Sequence, residues 1–93
     1  MTTAYQQYLK SVHWQKKRQE CFAYHGKRCK ACKTASGPIQ VHHLDYSRIG
    51  KESAAFDLIP LCVPCHREVT HLYRRNRRRG LRRVTMEFLQ SKK

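Results

Sequence analysis

The sequence predicts a small α+β domain, in which a two-stranded antiparallel hairpin and a helix are flanked by further helices. Three observations lead to this prediction. The chain has 93 residues, enough for one domain with a small core. Two short β-like segments, 39–44 and 56–61, lie on either side of a polar loop. Four of the five cysteines form two Cys-x-x-Cys pairs, one before the first segment and one after the second.

The N-terminal part, residues 1–26, is predicted to form two helices. Apolar residues from Tyr5 to Val12 recur at three- and four-residue spacings, which is typical of a short helix with one buried stripe. Ser11 suits the N-cap of a second helix, and Gly26 suits the residue after its end. Core positions in the second helix are predicted for Trp14 and Cys21.

The core, residues 27–73, is predicted to begin with a cysteine knuckle (27–36). A strand (39–44), a polar loop (46–55), an edge strand (56–61) and a helix (64–73) follow. Pro60 lacks a backbone donor, so it places the second strand at a sheet edge. Pro64 is well suited to the first turn of the helix that follows.

The C-terminal extension, residues 74–93, combines an arginine-rich segment with a short amphipathic end. Seven arginines fall within residues 74–83, and such a density of like charge repels itself. We therefore predict an exposed helix extension or arm that becomes fully ordered only against phosphates. Residues 84–89 are predicted to form a short helix that docks Met86, Phe88 or Leu89 on the body.

The charge of the chain indicates a polyanionic partner. Lys and Arg number 20 against 6 Asp and Glu, a formal net charge of +14. Such a surface favours nucleic acid, because the sequence has neither a lipidation motif nor a membrane-type amphipathic helix. Contacts to DNA phosphates are predicted for eight arginines: Arg67, Arg74, Arg75, Arg77, Arg78, Arg79, Arg82 and Arg83. These contacts would position the protein without reading base sequence.

The cysteine pairs predict a structural zinc site formed by Cys29, Cys32, Cys62 and Cys65. Tetrahedral zinc takes four such ligands, and each Cys-x-x-Cys knuckle delivers two. Two disulfides or redox-active thiols are weaker alternatives, because the fifth cysteine leaves an odd number. A zinc closed by four thiolates has no open position, so it would be a staple and not the catalyst.

A second set of metal-binding residue types lies between and beside the cysteines. The sequence reads VHHLDY around His42 and His43, and DLIPLCVPCH from Asp57 to His66. This pattern resembles the HNH endonucleases, whose ββα-metal core is also called the His-Me finger. The resemblance covers about residues 8–72. It implies a ββα-metal core and hydrolysis of DNA phosphodiester bonds to 5′-phosphate and 3′-hydroxyl ends.

The resemblance also implies a role for each matching residue. His43 is similar to the general base, His42 to a metal ligand, and His66 to the metal ligand on the helix. Asp57 replaces the family's asparagine. A carboxylate can bind an ion but cannot donate the amide hydrogen bond that the asparagine gives to the histidine loop, so the role of Asp57 as an ion ligand or as a loop-orienting group is left open. The catalytic residues implied are therefore His43, Asp57 and His66, and the divalent-ion ligands are His42, Asp57 and His66. The implied ion is Mg²⁺ or Mn²⁺, or another divalent transition metal.

Further residues carry weaker expectations. Tyr46, Arg48 and Glu52 echo loop residues of the family, where they could order the loop or contact phosphate, and Glu52 is expected to brace the loop. His71 lies five residues after His66 and is expected to be a solvated helix residue in preference to a phosphate contact.

The sequence thus predicts a metal-dependent endonuclease that nicks or cuts duplex or branched DNA. An alternative is a catalytically inactive zinc-knuckle module that binds DNA or RNA. A third interpretation is that all these His and Cys residues bind zinc for folding alone. The absence of a secretory signal or apolar span, together with reduced thiols, predicts a cytoplasmic location, in a bacterial or phage-encoded setting near the nucleoid, with no membrane partner. The DNA target is not encoded recognisably, and a homodimer is left open.

Overall fold

The computed structural model describes residues 4–48 and 50–92, without the side chains of Tyr5 and Arg48. The predicted contributions of those two side chains lie outside the described residues. The helices and strands, in chain order, are α1 (Ala4–Leu9), α2 (Val12–His25), β1 (Ile39–His43), β2 (Leu58–Cys62), α3 (Val63–Arg75) and α4 (Leu81–Ser91). Short 3-10 turns cover Tyr46–Arg48 and Arg77–Arg79. The fold is a small α+β arrangement of one antiparallel hairpin with helices, as predicted.

Helix α2 begins and ends at its predicted residues. The Ser11 side chain accepts a hydrogen bond from the backbone N–H of Trp14 at 3.1 Å, which satisfies one of the free amides of the first turn. Gly26 ends the helix with φ +84°, a conformation that favours glycine. Local backbone chemistry therefore sets both ends of this helix.

The hairpin pairs His42 with Ile59 and His43 with Leu58, and Pro60 lies opposite Val41. Each strand of a two-stranded sheet has an outer edge, so the missing N–H of Pro60 removes no ladder bond that the sheet requires. The carbonyl of Pro60 accepts a hydrogen bond from the Lys30 amide at 2.9 Å. This bond fastens the first cysteine knuckle to the outer edge of β2.

Two clusters of buried apolar side chains pack against the hairpin. One joins both strands to α3 and α4 and includes Leu61, Val69 and Phe88. The other joins the strands to α2 and includes Trp14 and Cys21, as predicted. Successive residues of β1 can therefore reach different surroundings, because neighbouring side chains on a strand point to opposite faces.

The arginines of the arginine-rich segment are exposed, as predicted, and the first two of them extend α3. Helix α3 continues to Arg75, and α4 begins at Leu81, earlier than the predicted start at residue 84. The segment has a defined path because Leu81 is buried and the Asn76 side chain donates to the Leu72 carbonyl at 2.9 Å. Phe88 docks on the body as predicted, whereas Met86 is 41% exposed.

Helices of the length and apolarity needed to cross a bilayer do not occur in the part of the chain that the structure describes.

Candidate functional site

The four cysteines of the two knuckles come together at one end of the hairpin. Their sulfur atoms all lie within 4.8 Å of one another. Four sulfurs bound tetrahedrally to zinc at about 2.3 Å are about 3.8 Å apart. The Sγ atoms of Cys32 and Cys62 are 3.6 Å apart, close to that spacing. The donor set therefore fits a structural metal ion such as zinc.

The four-cysteine cluster contains thiols whose pKa values are shifted in different directions by their surroundings. Burial opposes ionisation of Cys29, but hydrogen bonds from nearby backbone amides outweigh burial and lower the pKa of its thiol to about 6. Burial raises the pKa of the thiols of Cys62 and Cys65. A metal ion that binds all four sulfurs must therefore displace protons, so binding releases protons to the solvent.

His42 of β1 and His66 of α3 form a second group. Their ring centroids are 5.0 Å apart, with the ring planes at 74°. His42 is 1% exposed, and its Nε2 lies 3.0 Å from the Thr85 hydroxyl. Its other ring nitrogen, Nδ1, is buried and has no hydrogen-bond partner among the described residues. An unsatisfied buried nitrogen costs about 1–3 kcal/mol, and the lone pair of this nitrogen is available to a metal ion.

Both imidazoles are held in the neutral form. Burial, followed by the charges of His66 and His43, lowers the pKa of His42 to about 3. Burial and the charge of His43 also lower the pKa of His66. A metal ion requires a neutral imidazole, so this pair is competent to bind one at neutral pH.

Acidification is expected to destabilise the chain through His42. Its pKa is about 3 in the folded chain and 6.5 without the fold, so protons bind the unfolded chain first as pH falls. The contribution of His42 to stability is fully present above pH 6.5 and is lost as pH falls towards 3. Between pH 7 and pH 5 the loss is about 2 kcal/mol. Urea unfolding at pH 7 and at pH 5 measures the free energy of unfolding. Between these pH values, His42→Gln should lose about 2 kcal/mol less of that free energy than the parent. Equal losses in the two proteins contradict the prediction.

His43 lies in a buried network with a carboxylate and a phenol. Its Nε2 is 2.8 Å from Oε2 of Glu52, and both side chains are almost fully buried. The Tyr8 hydroxyl donates to the same carboxylate at 2.7 Å, and the Gly50 amide donates at 2.9 Å. Burial alone would raise the pKa of Glu52, but these hydrogen bonds, with that of His43 the largest, outweigh it and lower the pKa. Glu52 is therefore an ionised partner that orients His43.

The sequence identified Glu52 only as a residue that braces the loop. Its hydrogen bond to Gly50 fits that expectation, but the contacts to Tyr8 and His43 were missed. No local pattern in the sequence indicates a contact between residues 8 and 52, because the tertiary packing of α1 on the hairpin region creates it.

Two aromatic rings cover His43. The ring of Trp14 stacks on it at 4.7 Å between centroids, and the ring of Tyr46 stacks at 5.5 Å. Trp14 is buried, whereas Tyr46 is 45% exposed. Tyr46 is therefore the more exposed of the two rings that stack on His43.

Asp57 is engaged by other groups. Its Oδ1 accepts from Arg82 at 2.9 Å, and its Oδ2 accepts from the Ser53 amide at 2.8 Å. Among the described residues, a set of three or more His, Cys, Asp or Glu ligand atoms within 4.8 Å of one another occurs only at the four cysteines. The structure thus brings His42 and His66 together but does not add Asp57 to them at that distance. The loop-orienting role left open for Asp57 fits its bond to Ser53.

His66 is reached through an open cleft between β1 and α3. Its Nδ1 lies 2.6 Å from the side-chain oxygen of Gln40. The cleft has a volume of about 360 Å³. It is lined by Gln40, Val63, His66, Arg67, Thr70, His71 and Arg74. The cationic side chains at its rim make a phosphate group a suitable occupant. His71 is exposed there, as expected of a solvated helix residue.

The predicted DNA-binding arginines divide into two groups. Arg79 and Arg83 pair with Glu87, and Arg82 pairs with Asp57 and donates to the Phe56 carbonyl at 2.6 Å. The described residues offer no carboxylate partner to the other five, which are Arg67, Arg74, Arg75, Arg77 and Arg78. The second group is therefore better placed to meet phosphates, and Arg82 has a structural role that the sequence did not indicate.

No protein-family profile matches this chain, and no significant match was found among curated proteins or solved structures. The resemblance to the HNH endonucleases therefore stays a prediction that rests on the VHHLDY and DLIPLCVPCH segments.

Proposed function

We propose that this chain is a metal-dependent endonuclease of the HNH type, with a ββα-metal core, which hydrolyses phosphodiester bonds in DNA. The observation that carries the proposal is the buried Nδ1 of His42, which has no hydrogen-bond partner among the described residues and belongs to a ring that contacts the ring of His66. The next strand residue, His43, is paired with the carboxylate of Glu52. An imidazole pair that can bind a metal ion and, one residue further along the strand, an imidazole oriented by a carboxylate are the residue types that phosphodiester hydrolysis requires.

The donor set favours a transition ion over Mg²⁺. Mg²⁺ prefers carboxylate and water oxygens, whereas imidazole suits ions such as Co²⁺ and Ni²⁺. Because Asp57 is bound to Arg82 and Ser53, we assign the ion to His42 and His66 and expect Mn²⁺, Co²⁺ or Ni²⁺ to support cleavage better than Mg²⁺. When bound, such an ion would stabilise the charge that grows on the phosphoryl oxygens and on the leaving 3′ oxygen.

His43 acts in this proposal as the general base. Its imidazole takes a proton from the attacking water, and the ionised carboxylate of Glu52 stabilises the imidazolium that results. His43 is 3% exposed, so a covering group has to move before water and phosphate can reach the ring, and the half-exposed Tyr46 is our candidate for that group. The stack on the buried Trp14 keeps the imidazole plane in place.

The DNA backbone is held by the arginines without acidic partners. Arg67 and Arg74 line the cleft that leads to His66, so phosphate contacts there would bring the backbone to the proposed ion. In this proposal the four cysteines hold a zinc ion that supports the scaffold. Because four thiolates leave no open coordination position, this ion takes no part in the chemistry.

Arginine substitutions should separate DNA contact from structural support. Arg78→Ala should lower the slope of log affinity against log salt by about 0.9 and leave the melting temperature unchanged, because it removes one phosphate contact. Arg82→Ala should lower the melting temperature, because it leaves the buried Asp57 carboxylate without its cation. Fluorescence-anisotropy titrations at several salt concentrations, with thermal melts, measure both effects. Identical behaviour of the two variants contradicts the division into two groups.

The test of the function is nicking of supercoiled plasmid. The parent is expected to convert it to the open-circular form with Mn²⁺ or Ni²⁺ and to leave it intact in EDTA, under conditions that retain the cysteine-bound ion. His66→Ala should lose nicking but still bind DNA in gel shifts. Nicking activity that is present in the parent preparation and persists in the His66→Ala preparation contradicts the proposal.

A second candidate, the inactive zinc-knuckle module that binds DNA or RNA, is supported by two observations. The carboxylate that would complete the ion site is held by Arg82, and His43 is covered by two aromatic rings. Salt-dependent binding by the parent without nicking under any divalent ion would favour this module.

A further inference from the structure

Helix α4 lies outside the motif segments, yet it contacts two residues to which the motif assigns roles. Thr85 is fully buried, and its Oγ1 is 3.0 Å from Nε2 of His42. Arg82, three residues earlier on the same helix face, binds Asp57 and the carbonyl of Phe56. The C-terminal helix is therefore built into the surroundings of the hairpin and does not merely cover the core.

We infer that Thr85 is a positioning residue for the proposed metal ligand His42. An imidazole has two nitrogens, and the Thr85 hydroxyl occupies Nε2. The nitrogen left over is Nδ1, which is buried without a partner among the described residues, in a ring that contacts the ring of His66. Thr85 thereby selects Nδ1 as the atom that faces the ion and fixes the plane of the ring.

The chemistry determines which proton goes where. For Nδ1 to bind an ion, its lone pair must be available, so the proton of the neutral imidazole has to be on Nε2. The Nε2–H then donates to Oγ1 of Thr85, which accepts. Metal-binding histidines generally donate their second N–H in this way, and loss of that partner typically lowers metal affinity 10- to 100-fold. This inference rests on the proposed ion site at His42 and His66.

The neighbours of Thr85 on α4 indicate that its hydroxyl has a role beyond filling space in the core. Three other buried residues of α4, Leu81, Val84 and Phe88, are apolar, and Thr85 is the buried polar residue of this helix. A valine has nearly the shape of threonine and would fill the same space without a buried hydroxyl. The Thr85 hydroxyl is paired with Nε2 of His42, while Nδ1 of the same ring has no partner among the described residues. A residue that orients a metal ligand requires this arrangement.

The first test is the tautomer of His42 in the parent protein, with the cysteine site loaded with zinc and no other divalent ion added. Long-range ¹H–¹⁵N correlation spectra distinguish the two neutral forms of an imidazole. The inference requires the Nε2–H form. The Nδ1–H form overturns it, because the nitrogen that is proposed to bind the ion would then carry a proton.

The second test measures binding of Ni²⁺ by isothermal titration calorimetry. Thr85→Val should weaken the His42–His66 site 10- to 100-fold, whereas Thr85→Ser, which keeps the hydroxyl, should stay within about 3-fold of the parent. Thermal melts and zinc content should match the parent in both variants. Ni²⁺ affinity of Thr85→Val equal to that of the parent overturns the inference.

Failure of the inference and failure of the proposed function give different results. If His66→Ala abolishes Ni²⁺ binding and Thr85→Val leaves it intact, the ion site stands and Thr85 has no positioning role. If Ni²⁺ affinity is the same in the parent and in His66→Ala, the ion site itself is absent and both ideas fail. The tautomer measurement needs no variant, so it decides the role of Thr85 even if Thr85→Val does not fold.

Discussion

Removal of the ion from the four cysteines is expected to unfold the chain. Apparent binding energies of structural zinc in small domains are about 10–16 kcal/mol, which is as large as the whole stability of a typical domain at about 5–15 kcal/mol. Cys29, Cys62 and Cys65 also belong to the cluster of buried side chains that joins the hairpin to α3 and α4. Without the ion, these three buried thiols lose the metal that joins them, and we expect the first knuckle, residues 27–36, to separate from β2.

Zinc content and circular dichroism measure this effect. The parent should contain one zinc ion per chain, and a strong chelator should abolish the cooperative melt. Cys29→Ser should purify unfolded or with little zinc. Cys21→Ala is the matched control, because Cys21 is equally buried but lies outside the four-sulfur cluster, so this variant should retain its zinc. A parent that melts cooperatively without metal contradicts the prediction.

Substitution of His43 is expected to abolish nicking and leave DNA binding intact. A general base contributes about 10²- to 10⁴-fold to the rate, and the proposed site provides one such base. His43→Ala would also leave the buried Glu52 carboxylate without one of its donors, so loss of activity could reflect a damaged fold. His43→Gln avoids this difficulty, because the amide can still donate to Glu52 but cannot take a proton from water.

The decisive comparison is therefore His43→Gln against the parent in plasmid nicking, with gel shifts, Ni²⁺ affinity and thermal melts measured on the same samples. His13→Ala is a histidine control, because His13 is exposed on α2 and contacts the network of His43 through the ring of Tyr8, 5.9 Å away between centroids, so its removal leaves the hydrogen bonds of Glu52 in place. It should nick at the rate of the parent. Nicking by His43→Gln within about 10-fold of the parent rate contradicts the assignment of a base that contributes 10²-fold or more.

The two predictions fail in different ways. If chelation unfolds the chain and no variant or metal produces nicking, the four-cysteine site is structural and the nucleic-acid-binding module remains. If His42→Ala and His66→Ala release zinc and unfold the chain, the third interpretation, in which all the histidines and cysteines serve folding, is favoured. Nicking that requires both His43 and His66 supports the endonuclease.

The features that the sequence predicted depend on short-range chemistry. The Ser11 cap and Gly26 end of α2 follow from backbone geometry within a few residues, and Pro64 lies in the first turn of α3 as expected. The pairing of the two Cys-x-x-Cys knuckles was also predictable, because four thiols of that spacing have one favourable common partner. The arginine-rich segment was predicted less well, since its path depends on burial of Leu81 and on ion pairs to distant carboxylates.

The sequence by itself determined the hairpin, the four-sulfur donor set and the residue types from which an ion site could be built. Only the tertiary structure decided how those residues are used, through hydrogen bonds between residues far apart in the sequence. These bonds join Thr85 to His42 (43 residues apart), Tyr8 to Glu52 (44 apart) and Arg82 to Asp57 (25 apart). The physical reason is that a strand or helix end is set by neighbouring dihedral angles and hydrogen bonds. A contact between distant residues depends on which apolar faces pack together, and a hydroxyl or carboxylate that ends up buried there must bond with whatever polar group the packing provides.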